Sequence, residues 1–208
     1  KDLVMACDIK RPSLLHLTPN LPPTKEQATA IAAINRSHGQ FACHLLHGIT
    51  GSGKTEVYLQ CIAQVVARGQ QALVLVPEIG LTPQMIQRFE ARFGHVIAVL
   101  HSGLADSERD RHWAMARDGS AAIVIGTRSA VFAPLYNPGI IIVDEEHDPS
   151  FQQQDGFRYS GRDTAVKRAQ LLGCPIVLGS ATPSLESWHN TVHGRYQLHT
   201  LHERAGGA

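Results

Sequence analysis

Two short stretches carry residue types able to work on a phosphoanhydride. Gly48-Ile49-Thr50-Gly51-Ser52-Gly53-Lys54-Thr55 has the spacing G-x-x-x-x-G-K-[ST] of a phosphate-binding loop. Glycines permit turns that a Cβ would block, so backbone N–H groups can converge on phosphate oxygens. Lys54 offers a point charge to the β- and γ-phosphates, and Thr55 offers a hydroxyl to Mg²⁺. The expected nucleotide-binding residues are Gly48, Thr50, Gly51, Ser52, Gly53, Lys54 and Thr55. The second stretch, Asp144-Glu145-Glu146-His147, follows an apolar run at residues 140–143. An acid at the tip of a buried strand is costly unless it meets a cation, and Mg²⁺ on a nucleotide supplies one. Asp144 is expected to hold the metal, through water, and Glu145 to orient the attacking water. Lys54, Asp144 and Glu145 are thus the expected catalytic set.

These residues need elements to position them. Residues 41–46 read as a buried strand entering the loop, and residues 54–68 as a helix leaving it, closed by Gly69. A helix opens at Thr24, with Gln27 in capping-box spacing and Ala28, Ile31, Ala32 and Ile34 on its apolar side. Further strands are expected at 72–76, 96–100, 121–125, 140–143, 175–179 and 196–199. Helices are expected at 82–93, 106–118, 162–172 and after Pro183. The alternation predicts an α/β fold, a mostly parallel sheet with helices on both faces and ligands at the carboxyl ends of its strands. Residues 1–22, with Pro12, Pro19 and Pro22, read as an entry linker, and residues 23–203 as one domain. Residues 204–208 read as a tail, and the start at Lys1 suggests a piece of something longer.

Composition restrains the partners. The 208 residues carry 43% apolar side chains and a net charge of +1, so any nucleic-acid contact must rest on local residues. Cys7, Cys43, Cys61 and Cys174 form no C-x-x-C pair, so neither zinc nor a disulfide framework is expected. No apolar run reaches membrane-spanning length and no signal peptide opens the chain, which suggests a cytoplasmic, nucleoid-associated protein without a membrane partner.

The motifs together resemble the DEAH-type superfamily 2 helicases, and within them the replication-restart helicases. Asp144-Glu145-Glu146-His147 is similar to the DEAH box, and Ser180-Ala181-Thr182 to the third motif that links hydrolysis to DNA movement. Val76-Pro77-Glu78-Ile79-Gly80-Leu81-Thr82, His101-Ser102-Gly103-Leu104 and Gly126-Thr127-Arg128-Ser129-Ala130 resemble the restart family more finely. The resemblance covers residues 22–206 and implies the first, RecA-like P-loop lobe of an enzyme that unwinds DNA 3′→5′ with ATP and Mg²⁺. It implies that Gln27 reads adenine, an alternative to its ordinary role as a capping residue. It implies that His147, Ser180 and Thr182 couple hydrolysis to movement, His147 through Thr182 or Gln154. Implied partners are single-stranded and forked DNA, a second helicase lobe, single-strand-binding protein and primosome proteins.

Residues 151–159 hold Phe151, Phe157, Arg158 and Tyr159, types suited to stacking on unpaired bases. In the family this aromatic loop couples DNA binding to hydrolysis; here Phe151-Gln152 replaces the usual Tyr-Lys, and Ser160-Gly161 the usual His-Ala. Aromatics folded into the domain are the other reading. Thr82, Gly126, Thr127 and Arg128 lie just past strand ends, where a DNA backbone could approach; helix capping explains them equally. Arg162 and Asp163 read as a weak local ion pair. Two other functions stay open: a docking module for DNA or protein partners with little nucleotide activity, and a different P-loop NTPase. A GTPase would need an Asn-Lys-x-Asp guanine reader, which the sequence lacks.

Overall fold

A computed structural model describes residues 22–94 and 96–204. All but the last residue of the expected linker, Cys7, and tail residues 205–208 lie outside the described residues. Seven strands form one parallel sheet: β1 (Cys43–Gly48), β2 (Gln71–Leu75), β3 (Ile97–Leu100), β4 (Ile123–Gly126), β5 (Pro138–Val143), β8 (Ile176–Ser180) and β9 (Gln197–Leu201). Their spatial order is β3-β4-β2-β5-β8-β1-β9. A two-residue pair, β6 (Gln152–Gln153) and β7 (Tyr159–Ser160), makes a separate antiparallel hairpin. The helices are α1 (Lys25–Arg36), α2 (Lys54–Ala67), α3 (Pro83–Phe93), α4 (Asp106–Asp118), α5 (Gly161–Leu172) and α6 (Leu185–Val192).

The apolar runs become strands buried on both faces, and their side chains divide by the two-residue period. Ala72, Val74, Ile140 and Ile142 join the core under α1, α2 and α3. Leu73, Leu75, Ile141 and Val143 join the core under α4 and α5. The helices therefore cover both faces, as expected from the alternation of elements. Each fully buried Leu, Ile or Val contributes about 1.5–3 kcal/mol relative to exposure. Cys43, Cys61 and Cys174 are buried thiols within this packing. Burial pushes Cys61 up to about 12 and Cys174 to about 11, so both stay protonated.

Two sequence expectations shift. The first strand begins at Cys43, leaving Phe41 partly exposed before it. In α1 the buried positions are Gln27, Ala30 and Ile34, while Ala28 and Ala32 face solvent. The i, i+3, i+7 stripe starts from the polar Gln27, which periodicity in apolar residues alone does not reveal. No helix among the described residues is long and apolar enough to cross a membrane.

Candidate functional site

The sheet order explains how distant motifs meet. β5, β8 and β1 are neighbours, so Asp144, Ser180 and the phosphate loop leave adjacent strands at the same edge. Their cleft, of about 650 Å³, is lined by Thr24, Gln27, Thr50, Gly51, Gly53, Lys54, Thr55, Asp144 and Glu145 among others. Gly51 and Gly53 adopt φ of +82° and +84°, a region that penalises any Cβ. Gly48 is required by close approach, since a Cβ there would lie 2.5 Å from Ser52 Oγ. Gly53 caps α2, whose first amides have no partner within the helix, and the residues of this first turn, Lys54 and Thr55, line the cleft.

Lys54 is almost wholly buried. Its Nζ donates to Gly48 O at 2.9 Å and lies 3.6 Å from Glu145 Oε1. Glu145 stands between Lys54 and His147, because its other oxygen is 3.8 Å from His147 Nδ1. Its φ of 45° makes it the only non-glycine with positive φ among the described residues. Such backbone persists only where its surroundings hold it. Asp144 Oδ1 accepts from the Tyr58 hydroxyl at 2.9 Å. Burial pushes the Asp144 carboxyl above its usual range, while the Tyr58 bond pulls it back. Gly179 makes this contact possible, since a Cβ there would sit 1.6 Å from Tyr58 Oη.

These residues fit a nucleotide phosphate and Mg²⁺. The loop offers left-handed glycines, and Ser52 Oγ is buried without a partner among the described residues. A buried lysine and a partly buried acid flank that cradle. Gln27 is more committed than the sequence suggests. Its Oε1 accepts from Thr24 N and its Nε2 donates to Ser52 O, both at 2.9 Å, so it ties the α1 cap to the loop. One N–H and one lone pair of the amide remain for a base edge.

The third-motif residues gather beside this cleft. His147 Nδ1 lies 2.8 Å from Ser180 Oγ, and Nε2 lies 3.2 Å from Thr182 Oγ1. Of the two expected routes for His147, the bonds run to Thr182, with Ser180 added.

The expected DNA-facing residues separate. Phe151 is in the core at 1% exposure, packed near Gly161, and is withdrawn as a DNA contact. It ends a tight turn that points it inward under α5. Arg128 Nη1 donates to Ser150 O and Gln152 O, both at 2.9 Å, so its guanidinium fastens the base of the hairpin. Thr127 is buried, and Gly126 is small because Leu100 O and the Ala130 Cβ crowd it. Thr82 caps α3 through a bond from Met85 N, and lies beside a groove lined by Glu78, Pro83, His101 and Thr127. Phe157, by contrast, is 82% exposed, with Tyr159 packed between it and Phe132. Arg158 is exposed and closes the hairpin tip on Gln154 O.

Sequence reading missed Tyr58, Gly179 and the surroundings of Arg162. Arg162 is not half of a weak surface pair: it is 8% exposed and donates to Glu146, Ser184 and Asp163. Only the glycine preceding Ser-Ala-Thr gave a local signal of a close approach.

The sequence profile of the DEAD/DEAH box helicases matches residues 24–191. The replication restart protein PriA of Haemophilus influenzae is 54% identical over 184 residues, covering 88% of this chain and 25% of that protein. The PriA of Bacillus subtilis is 49% identical over 189 residues, covering 90% and 24%. The chain thus spans about a quarter of the length of the curated relatives it matches. In fold it is similar to RecG bound to a three-way DNA junction, with a TM-score of 0.62, 23% identity and coverage of 91% of this chain and 25% of that one. The helicase domain of Pyrococcus furiosus Hef gives 0.61, with 18% identity and coverage of 88% and 38%. A nucleotide cleft on a parallel sheet and a profile match across most of the sequence agree: the chain belongs to the DEAD/DEAH box helicase family.

Proposed function

We propose that residues 23–203 are the ATP-binding, RecA-like lobe of a 3′→5′ DNA helicase that restarts stalled replication forks. The observation that carries this reading is the meeting of Lys54, Asp144 and Glu145 beyond the ends of β1 and β5, the two strands that flank β8, with Glu145 held between Lys54 and His147. Gln27 faces the adenine edge with its free amide groups. The loop amides and Lys54 bind the phosphates, Lys54 leaving Gly48 O for them. Thr55 and Asp144 are the residues to hold Mg²⁺. When bound, Mg²⁺ neutralises charge on the transferring phosphate. Glu145 orients the attacking water, and His147 relays its position to Ser180 and Thr182. Phe157, Tyr159 and Arg158 meet single-stranded or forked DNA, with Thr82 and Thr127 along the neighbouring groove. A second lobe completes the site, and single-strand-binding protein and primosome proteins are the expected partners in the cytoplasm, at the nucleoid.

The test is DNA-dependent ATP hydrolysis and fork unwinding by the full-length protein, with and without Lys54→Ala. Forked DNA is expected to stimulate turnover that Lys54→Ala abolishes. The 208-residue chain alone is expected to bind ATP·Mg weakly and turn over little, because the arginines that a second lobe brings to the transferring phosphate are worth on the order of 10³–10⁵ in rate. Full-rate turnover by the lobe alone would contradict the account. A docking module is the second reading, favoured by the 82% exposure of Phe157. DNA affinity that depends on Phe157 and Tyr159, with no nucleotide affinity at all, would select it.

A further inference from the structure

We infer that Glu146 and Arg162 form a buried strut that positions Glu145, an inference resting on the proposed role of Glu145 in orienting water. The Asp144-Glu145-Glu146-His147 box contains one more carboxylate than its phosphate chemistry requires. Asp144 and Glu145 line the cleft and Glu146 does not. Its side chain is fully buried and turned toward α5 and α6. Ser184 N donates to Oε1 at 2.7 Å. Arg162 Nη1, Ser184 Oγ and Ser187 Oγ donate to Oε2 at 3.2, 3.0 and 2.9 Å. Arg162 also donates to Ser184 Oγ at 2.6 Å and to Asp163 Oδ1 at 2.8 Å.

A desolvated ion pair is a poor way to gain stability, since a well-packed apolar pair of similar volume often does as well. A fully hydrogen-bonded network does fix one arrangement of the groups within it. What lies beside it is the left-handed backbone of Glu145. On one side Asp144 is anchored by its N–H to Leu75 O and by Tyr58. On the other side Glu146 is anchored by its N–H to Gly179 O and by the strut. The Glu145 backbone is held by Asp148 N donating to its carbonyl at 2.8 Å, but its side chain is 38% exposed and, among the described residues, its carboxylate has two long contacts, to Lys54 and His147. Its neighbours, rather than its own bonds, therefore set where its carboxylate points.

The experiment compares ATP turnover and ATP·Mg affinity in the full-length protein carrying Glu146→Gln with Arg162→Gln. The double change removes both charges together, so neither is left buried and unpaired. The expected result is affinity within about threefold of the parent and kcat lowered about 30- to 100-fold, as a displacement of about 1 Å in a reacting group can produce. A lowered melting temperature with unchanged kcat per folded molecule would overturn the inference, because a merely structural strut acts that way. Should the double variant fail to fold, Ser187→Ala removes one hydroxyl donor to Glu146 and leaves the ion pair. It is expected to lower kcat three- to fivefold at unchanged affinity, and an unchanged kcat overturns the inference. A parent protein without Lys54-dependent turnover would overturn the functional reading and the strut together. An active parent matched by both variants overturns the strut alone.

Discussion

The edge where β5, β8 and β1 end is joined to the hairpin of β6 and β7 by one short segment, residues 144–151, yet the two regions are built by opposite rules. At the edge, Ser180 is fully buried, Lys54 and Glu146 nearly so, and each is held by named partners. At the hairpin, Phe157 is 82% exposed while Arg128 and the core residue Phe151 secure only the base. The first region is preorganised for charge that arrives in one geometry. The second presents apolar rings on a fastened stem, suited to partners that differ in sequence. A substitution at the edge is therefore expected to damage fold and chemistry together, and one at the hairpin tip to damage binding alone.

Gly179→Ala is the severest test of the edge. The added Cβ must displace the Tyr58 hydroxyl, which overpacks the core and strips Asp144 of its donor. The expected cost is about 3–5 kcal/mol and roughly 10 °C in melting temperature. A melting temperature within 2 °C of the parent, by about the same scaling, would show that the edge is more plastic than its packing implies.

A slightly smaller effect is expected from acid. His44 is fully buried, with Nδ1 3.0 Å from His199 Nε2 and Nε2 3.1 Å from Ser37 Oγ. Burial first, and then His199, lower its pKa to about 4 from an ordinary 6.5. The unfolded chain takes up this proton more readily, so stability is full above pH 6.5 and falls as pH drops toward 4. The loss is on the order of 3 kcal/mol. Chemical denaturation across that range should show it, and His44→Gln should flatten the slope. An equally steep slope in His44→Gln would assign the acid sensitivity elsewhere.

Phe157→Ala is the mildest for the fold and sharpens the other side of the comparison. Truncating a ring this exposed is expected to change stability by less than about 0.5 kcal/mol. Single-stranded DNA affinity, by fluorescence anisotropy in the full-length protein, is expected to fall about tenfold, the value of one lost base stack. Equal affinity in parent and variant would leave the hairpin without its proposed role.

Legibility in the sequence divides along the same line. The phosphate loop could be read because its constraint is local: φ above +80° at Gly51 and Gly53 dictates residue type at fixed spacing. The strands could be read because burial on both faces leaves continuous apolar runs. The Tyr58–Asp144 bond joins residues 86 apart, and the Arg162–Glu146 pair depends on where α5 docks, so no local pattern announces either. Phe151 and Phe157 are the same residue type in one short segment. Only tertiary packing buries one and exposes the other.

The central claim is that the glycine loop and Lys54 form a nucleotide site with Gln27 at its base-reading end. Equilibrium binding of fluorescent ATP and GTP analogues with Mg²⁺, to this chain and to Lys54→Ala, tests it most directly. The account predicts binding that favours ATP and is weakened on the order of 10- to 100-fold in Lys54→Ala, the value of one hydrogen bond from a charged donor. Equal binding of the two analogues, unchanged in Lys54→Ala, would contradict it.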